Sequence, residues 1–161
     1  MSKVLVVYFS RTGYTKTVAE GMAARCGADV EAIRERRGRR GFFGYLRSAR
    51  EALKREPAEI VPPLHDVKDY DVVLFGTPVW AGHVSSPMRA CLGKHGASLR
   101  RVAFFCTQGG SGADKVLEEM AEICGKRPEA TLVLKDSEIR KDSFGRKLDS
   151  FIHALELPAA A

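Results

Sequence analysis

Three short stretches of the chain hold the residue types that could do chemistry. The first, Ser10-Arg11-Thr12-Gly13-Tyr14-Thr15, sets three hydroxyls around a glycine directly before a helix-forming run. A helix start offers unpaired N–H groups and the positive end of the backbone dipole, and glycine lets the chain turn tightly, so this stretch suits a dianionic phosphate. It lacks the Gly-Lys-Ser/Thr ending of a nucleoside-triphosphate loop, and no G-x-G-x-x-G marks a dinucleotide. A capping loop with incidental hydroxyls is the alternative reading.

The second stretch, Gly76-Thr77-Pro78-Val79-Trp80-Ala81-Gly82-His83, contains the single tryptophan. An apolar loop of this kind either gives a flat aromatic ligand a stacking surface or buries its tryptophan for packing. The third, Thr107-Gln108-Gly109-Gly110-Ser111-Gly112, is rich in glycine. It either brings exposed backbone amides close to a ring or is a flexible turn.

Each stretch follows an apolar run with the character of a strand. Residues 4–9, 72–75, 102–106 and 131–134 are continuous apolar runs, as expected for strands covered on both faces of a parallel sheet. Residues 28–33 alternate polar and apolar side chains, which suits an edge strand.

Helical patterns lie between these runs. The first spans residues 14–26 and stops at Gly27. In the second, Phe42, Leu46, Ala49 and Leu53 are expected to face the core, with arginines outward. The third opens with Ser86 as N-cap and Pro87 at the first helical position. The fourth follows Gly112 and buries Val116, Leu117, Met120 and Cys124. The last starts near Asp142 and buries Phe144, Leu148, Phe151, Ile152 and Leu155.

Five strand–helix units of roughly 32 residues fit the size of a βαβ repeat. The expected fold is α/β, a three-layer sandwich with a five-stranded parallel sheet in the order 2-1-3-4-5 and helices on both faces, forming one domain over residues 1–161. That order puts a topological switch between strands 1 and 3, and ligands gather beyond the carboxyl ends of strands at such a switch. The three stretches are those carboxyl-end loops.

Composition narrows the classes. With 161 residues, 45% hydrophobic and 29% charged, the chain is globular and large enough for a substantial core. Its longest apolar run, residues 4–9, falls far short of the ~18 residues of a membrane span. Only Lys3 precedes it and no small-residue cleavage site follows, so a cytoplasmic location is expected. Cys26, Cys91, Cys106 and Cys124 form no C-x-x-C pair, which speaks against a zinc site or a redox dithiol, and no metal is expected. His65, His95 and His153 are expected on the surface. His83 either influences a bound substrate or is a solvated loop residue.

Residues 34–56 hold nine basic and three acidic side chains, which equals the net charge of +6 of the whole chain. The segment is a solvated face or a contact for an acidic partner. No nucleic-acid motif accompanies it.

Together the three loops resemble the flavodoxin-like FMN-binding family, over nearly the whole chain. The resemblance rests on S-R-T-G-Y-T, on G-T-P-V-W-A-G before a proline-started helix, and on T-Q-G-G-S-G. It implies that Ser10, Thr12, Gly13, Tyr14 and Thr15 bind the FMN phosphate, with Arg11 supplying a backbone amide. It also implies that Thr77, Pro78, Val79, Trp80, Ala81, Gly82 and His83 flank one side of the isoalloxazine, and Thr107, Gln108, Gly109 and Gly110 the other. Gly82 is then the glycine whose peptide can reorient beside the flavin N5.

Two other tenants of the fold are excluded. A receiver domain needs acidic residues where Ser10-Arg11 stand, and a low-molecular-weight tyrosine phosphatase needs a cysteine after strand 1. The implied function is electron transfer through non-covalent FMN, with a redox protein, NAD(P)H or a quinone as partner. The alternatives are an NAD(P)H-dependent acceptor reductase and a flavin-free binding module that uses its basic face. Two departures, the basic charge and the lack of an aromatic after strand 4, favour an open flavin face and the reductase.

Overall fold

Alternation of side chains along the central strands decides which residues meet which layer. In the computed structural model, residues 2–36, 41–55 and 57–161 are described, with only the backbone of residues 41–43. In chain order the elements are β1 (Val4–Tyr8), α1 (Tyr14–Cys26), β2 (Asp29–Ala32), α2 (Gly41–Leu53), β3 (Val72–Trp80), β4 (His83–Val84), α3 (Ser86–His95), β5 (Arg101–Gln108), α4 (Ala113–Cys124), β6 (Thr131–Lys135), α5 (Asp136–Arg140) and α6 (Gly145–Ala154). The five main strands run parallel in the order β2-β1-β3-β5-β6, the sequence expectation with one addition. The addition is β4, two residues that fold back antiparallel on the end of β3.

Val4, Val6 and Tyr8 of β1 face a core shared with Val18 and Met22 of α1 and Leu148, Phe151 and Ile152 of α6. Leu5 and Val7 face the opposite core, with Met88 and Leu92 of α3 and Val116 and Met120 of α4. Each fully buried Val, Leu or Phe side chain contributes about 1.5–3 kcal/mol. The sheet is therefore held from both sides, and its carboxyl edge is a stable platform for loops. Helix α1 has the expected bounds. Gly27 at φ 65° ends it, with its N–H on the Ala23 carbonyl.

Helix α2 departs from the expected orientation. Leu46 and Leu53 are 46% and 63% exposed, whereas Ser48 and Ala52 are buried. The helix packs through Gly44, Ser48 and Ala52, four residues apart, and Ser48 Oγ donates to the Gly44 carbonyl at 2.7 Å. Small side chains allow a closer approach than the leucine stripe would, and that decides the face. Phe42 lies outside the described side chains, as do Arg37, Arg39, Arg40 and Glu56 of the basic segment.

The last helix also differs. Asp142 sits in the left-handed region at φ 52°, so a right-handed helix cannot run through it, and α6 starts at Gly145. Residues 136–140 form α5 instead. Leu117 of α4 is only half-buried, while the other core residues expected for these two helices are buried. All four cysteines are free and buried. Among the described residues, no helix is long and apolar enough to cross a membrane.

Candidate functional site

The register brings the three loops to one edge. Tyr8 lies opposite Gly76, and Pro78 lies opposite Thr107, so β1, β3 and β5 release their loops side by side. Side-chain and backbone contacts then tie the loops together. Thr15 and Thr107, both buried, share a hydrogen bond between hydroxyls at 2.8 Å that joins the first loop to the third. Gly112, at φ 104°, packs on the second loop so tightly that a Cβ there would stand 3.2 Å from the Gly82 Cα.

In the first loop, the half-buried Ser10 accepts the Gly13 N–H on Oγ at 3.0 Å. Gly13 adopts φ 102° and starts α1 without a side-chain cap. The first-turn N–H groups of α1 are thus open to an anion, and the space where a Gly13 Cβ would point is empty. Thr12 is exposed and Tyr14 half-buried beside it. The Arg11 guanidinium lies over the Tyr45 ring at 5.4 Å and draws α2 to the rim of this loop.

The second loop is a hairpin. Val79 and Trp80 pair with Val84 and His83, and Ala81 and Gly82 form the turn at φ 48° and 76°. Two left-handed residues in succession give the turn the twist of its strands. Thr77 is fully buried. Its hydroxyl bonds Ser85 Oγ at 2.8 Å and the Pro78 carbonyl at 2.9 Å, so it closes the hairpin base. Pro78, Val79 and Gly82 are half-buried and Ala81 is exposed.

Trp80 is packed at the sheet mouth. It is 9% exposed, meets Phe9 edge-on at 5.3 Å, and packs with Ala52 of α2. It seats α2 on the sheet mouth.

His83 is not a solvated loop histidine. It is 9% exposed, and its Nδ1 stands 2.6 Å from Glu119 Oε1 of α4. The other oxygen, Glu119 Oε2, accepts from Arg89 of α3 at 2.5 Å. Burial pushes the Glu119 carboxyl up, but the hydrogen bonds from Arg89 and His83 outweigh it and hold the group below the usual carboxylate range. His65 also differs from its expected place, since its Nδ1 pairs with the buried Glu31.

In the third loop, Gln108 Oε1 accepts the Ala113 N–H at 3.2 Å, so this side chain is engaged in opening α4. Gly109 and Gly110 are exposed. Asp136, at the carboxyl end of β6, approaches within 3.3 Å of where a Gly109 Cβ would stand, and burial raises its carboxyl above the ordinary value. Sequence reasoning missed Asp136, Glu119 and Arg89. For Asp136 the signal was present, a carboxylate directly after a strand of the sheet. The partners of His83 lie too far along the chain to be read without the fold.

The site thus has an uncapped helix start beside exposed Thr12, with the Ala81–Gly82 turn and the exposed Gly109 and Gly110 on the neighbouring loops of the same sheet edge. A helix start opening at the switch point of a parallel sheet is where α/β proteins of this architecture hold their ligands. The sequence profile of the flavodoxin family matches residues 3–149, and the chain belongs to that family.

Solved structures agree in fold. A flavoprotein from Lactobacillus acidophilus NCFM, crystallised with FMN, is 24% identical over 88% of this chain and 98% of its own, with a TM-score of 0.73. A provisionally named flavoprotein from Bacteroides eggerthii is 22% identical over 98% and 100%, with a TM-score of 0.79. The flavodoxin of Megasphaera elsdenii is 22% identical over 94% and 98%, at 0.57.

Proposed function

We propose that this protein binds FMN non-covalently and passes electrons through it. The observation that carries the reading is the joining of the three loops at one sheet edge. The Thr15–Thr107 bond and the Gly82–Gly112 contact bring the uncapped start of α1 and the glycines of the second and third loops to one place. The phosphate is held by the first-turn N–H groups of α1 with Ser10, Thr12, Gly13 and Tyr14, and the backbone of Arg11 contributes an amide. Thr15 acts through Thr107, as a brace behind that cradle. The Pro78–His83 hairpin and Gln108–Gly110 would hold the ring. When bound, FMN supplies the redox chemistry, while the chain binds, orients and sets the electrostatics.

Purified protein is expected to be yellow or to quench added FMN. Thr12→Ala should weaken FMN by about ten- to a hundred-fold and riboflavin hardly at all, since one charge-assisted hydrogen bond contributes about 1.5–3 kcal/mol. Equal losses for both ligands would overturn the phosphate assignment.

A second reading, an NAD(P)H-dependent acceptor reductase, is favoured by the exposed glycines of the third loop, which bring no aromatic side chain over the ring. Anaerobic mixing with NADH or NADPH separates the two. Bleaching by pyridine nucleotide alone rejects the carrier, and bleaching only through an added reductase rejects the enzyme.

The electron partner of the carrier is an acidic protein that docks on α2. Tyr45, Leu46 and Leu53 are exposed there among Arg50, Lys54 and Arg55, at the rim of the first loop. Electron transfer with acidic partners is expected to slow as salt rises, and a rate indifferent to salt would count against this face.

A further inference from the structure

The Ala81–Gly82 turn combines two features that stability alone does not favour. Ala81 occupies the left-handed region at φ 48°, where a side chain is strained. Beside it, a carboxylate, a guanidinium and an imidazole are packed together largely away from water. Glu119, 6% exposed, lies between His83 and Arg89 with contacts of 2.6 and 2.5 Å, and the buried Arg89 Nε has no partner among the described residues. Burying ions is costly, and well-packed apolar residues in their place are often as stable or more so. Strained backbone persists where its surroundings over-determine it, and it clusters at functional sites.

The position of these three side chains accounts for both features. His83 closes the hairpin directly after the turn, Arg89 is on α3, which follows the hairpin, and Glu119 is on α4, which follows the third loop. β3 carries no charged residue, and on α2 Glu51 pairs with Arg47 at 3.4 Å and accepts from Ser86. The Glu119 carboxylate therefore ties the hairpin to both helices, while Gly112, at the start of the same α4, packs against Gly82.

We propose that His83, Glu119 and Arg89 are positioning residues that hold the strained Ala81–Gly82 turn in the one orientation that presents its backbone to the flavin ring. This rests on the FMN-binding reading above. The network acts on the ring and not on the phosphate, because α1 and Ser10 are no part of it.

The test titrates apo-protein with FMN and with riboflavin and follows the midpoint potential of the bound FMN, for wild type, Glu119→Gln, Arg89→Lys and Ala81→Gly. Glu119→Gln keeps the shape and removes the charge. Ala81→Gly leaves the network intact and only frees the turn, so it keeps the proposal testable where Glu119→Gln does not fold.

Glu119→Gln is expected to weaken FMN and riboflavin by the same factor, about ten-fold, since charge-assisted bonds are lost. Ala81→Gly is expected to weaken both several-fold with no loss of thermal stability, because only preorganisation is removed. Arg89→Lys is expected to retain most of the affinity. A turn that discriminates the ring's redox states should also move the potential, and a ten-fold change in that discrimination is about 30 mV for a two-electron couple.

Wild-type protein that binds neither flavin overturns the FMN reading and this inference with it. If wild type binds, three results overturn the inference and leave that reading standing. They are unchanged affinities in Glu119→Gln and Ala81→Gly, a loss confined to FMN, and a potential that stays fixed while affinity and melting temperature fall together.

Discussion

Thr15→Val deletes one partner of the hydroxyl pair that joins the first and third loops at 2.8 Å, with almost no change of shape. Valine and threonine have similar helix propensities, so the first turn of α1 is little affected. The damage falls on Thr107, which is 2% exposed and loses the partner of its hydroxyl. An orphaned buried hydroxyl costs about 1–3 kcal/mol, against a net contribution of about 1 kcal/mol for an ordinary hydrogen bond. Thr107→Val should cost the same for the mirror-image reason. The double variant leaves nothing unsatisfied and should be nearly neutral, so the second substitution recovers most of what the first removed.

Urea denaturation followed by circular dichroism gives the comparison, with a constant m value guarding the two-state treatment. For a domain of this size each kcal/mol also moves Tm by about 2–4 °C. A double variant as unstable as the sum of the singles would refute the reasoning, because the two hydroxyls would then be acting independently.

Gly76→Ala would place a Cβ 2.0 Å from the Phe105 ring, which is fully buried, and should cost about 3 kcal/mol or more, read as a drop in the urea midpoint. Wild-type stability at this position would show that the ring can swing aside. Glu119 has a folded-state pKa below its unfolded value, so its stabilisation is complete above the ordinary glutamate range and is lost as pH falls through the folded value. The stability gap between wild type and Glu119→Gln should therefore narrow on acidification, and a gap that widens would contradict the ion pairing. The buried Cys91 thiol is pushed up to about 12 by burial, and burial raises Cys106 as well. A thiol reagent at pH 8 should label the native protein far more slowly than unfolded protein, and rapid native labelling would refute their burial.

Where local chemistry determined the outcome, the sequence was legible. The glycine after Cys26 ended α1 because only glycine adopts φ 65° cheaply, and the apolar runs became the parallel strands because helices cover both faces. The carboxyl-end loops followed from that order. The hairpin of β3 and β4 was hidden for a specific reason, since its turn is Ala-Gly and alanine in a left-handed turn is no signal of one. The orientation of α2 was misread because an i, i+4 row of small residues beat a leucine stripe, a choice made by how close α2 approaches its neighbours. His83 looked like a loop residue because Glu119, 36 positions away, meets it only in the folded chain.

The central claim is that the start of α1 receives the phosphate of FMN. A crystal structure of the protein soaked or grown with FMN tests it most directly. The phosphate should lie within hydrogen-bond distance of Thr12 and the first-turn N–H groups of α1, with the ring against the Ala81–Gly82 turn. Crystals in which that helix start stays empty at saturating FMN, or in which FMN binds elsewhere on the molecule, would contradict it.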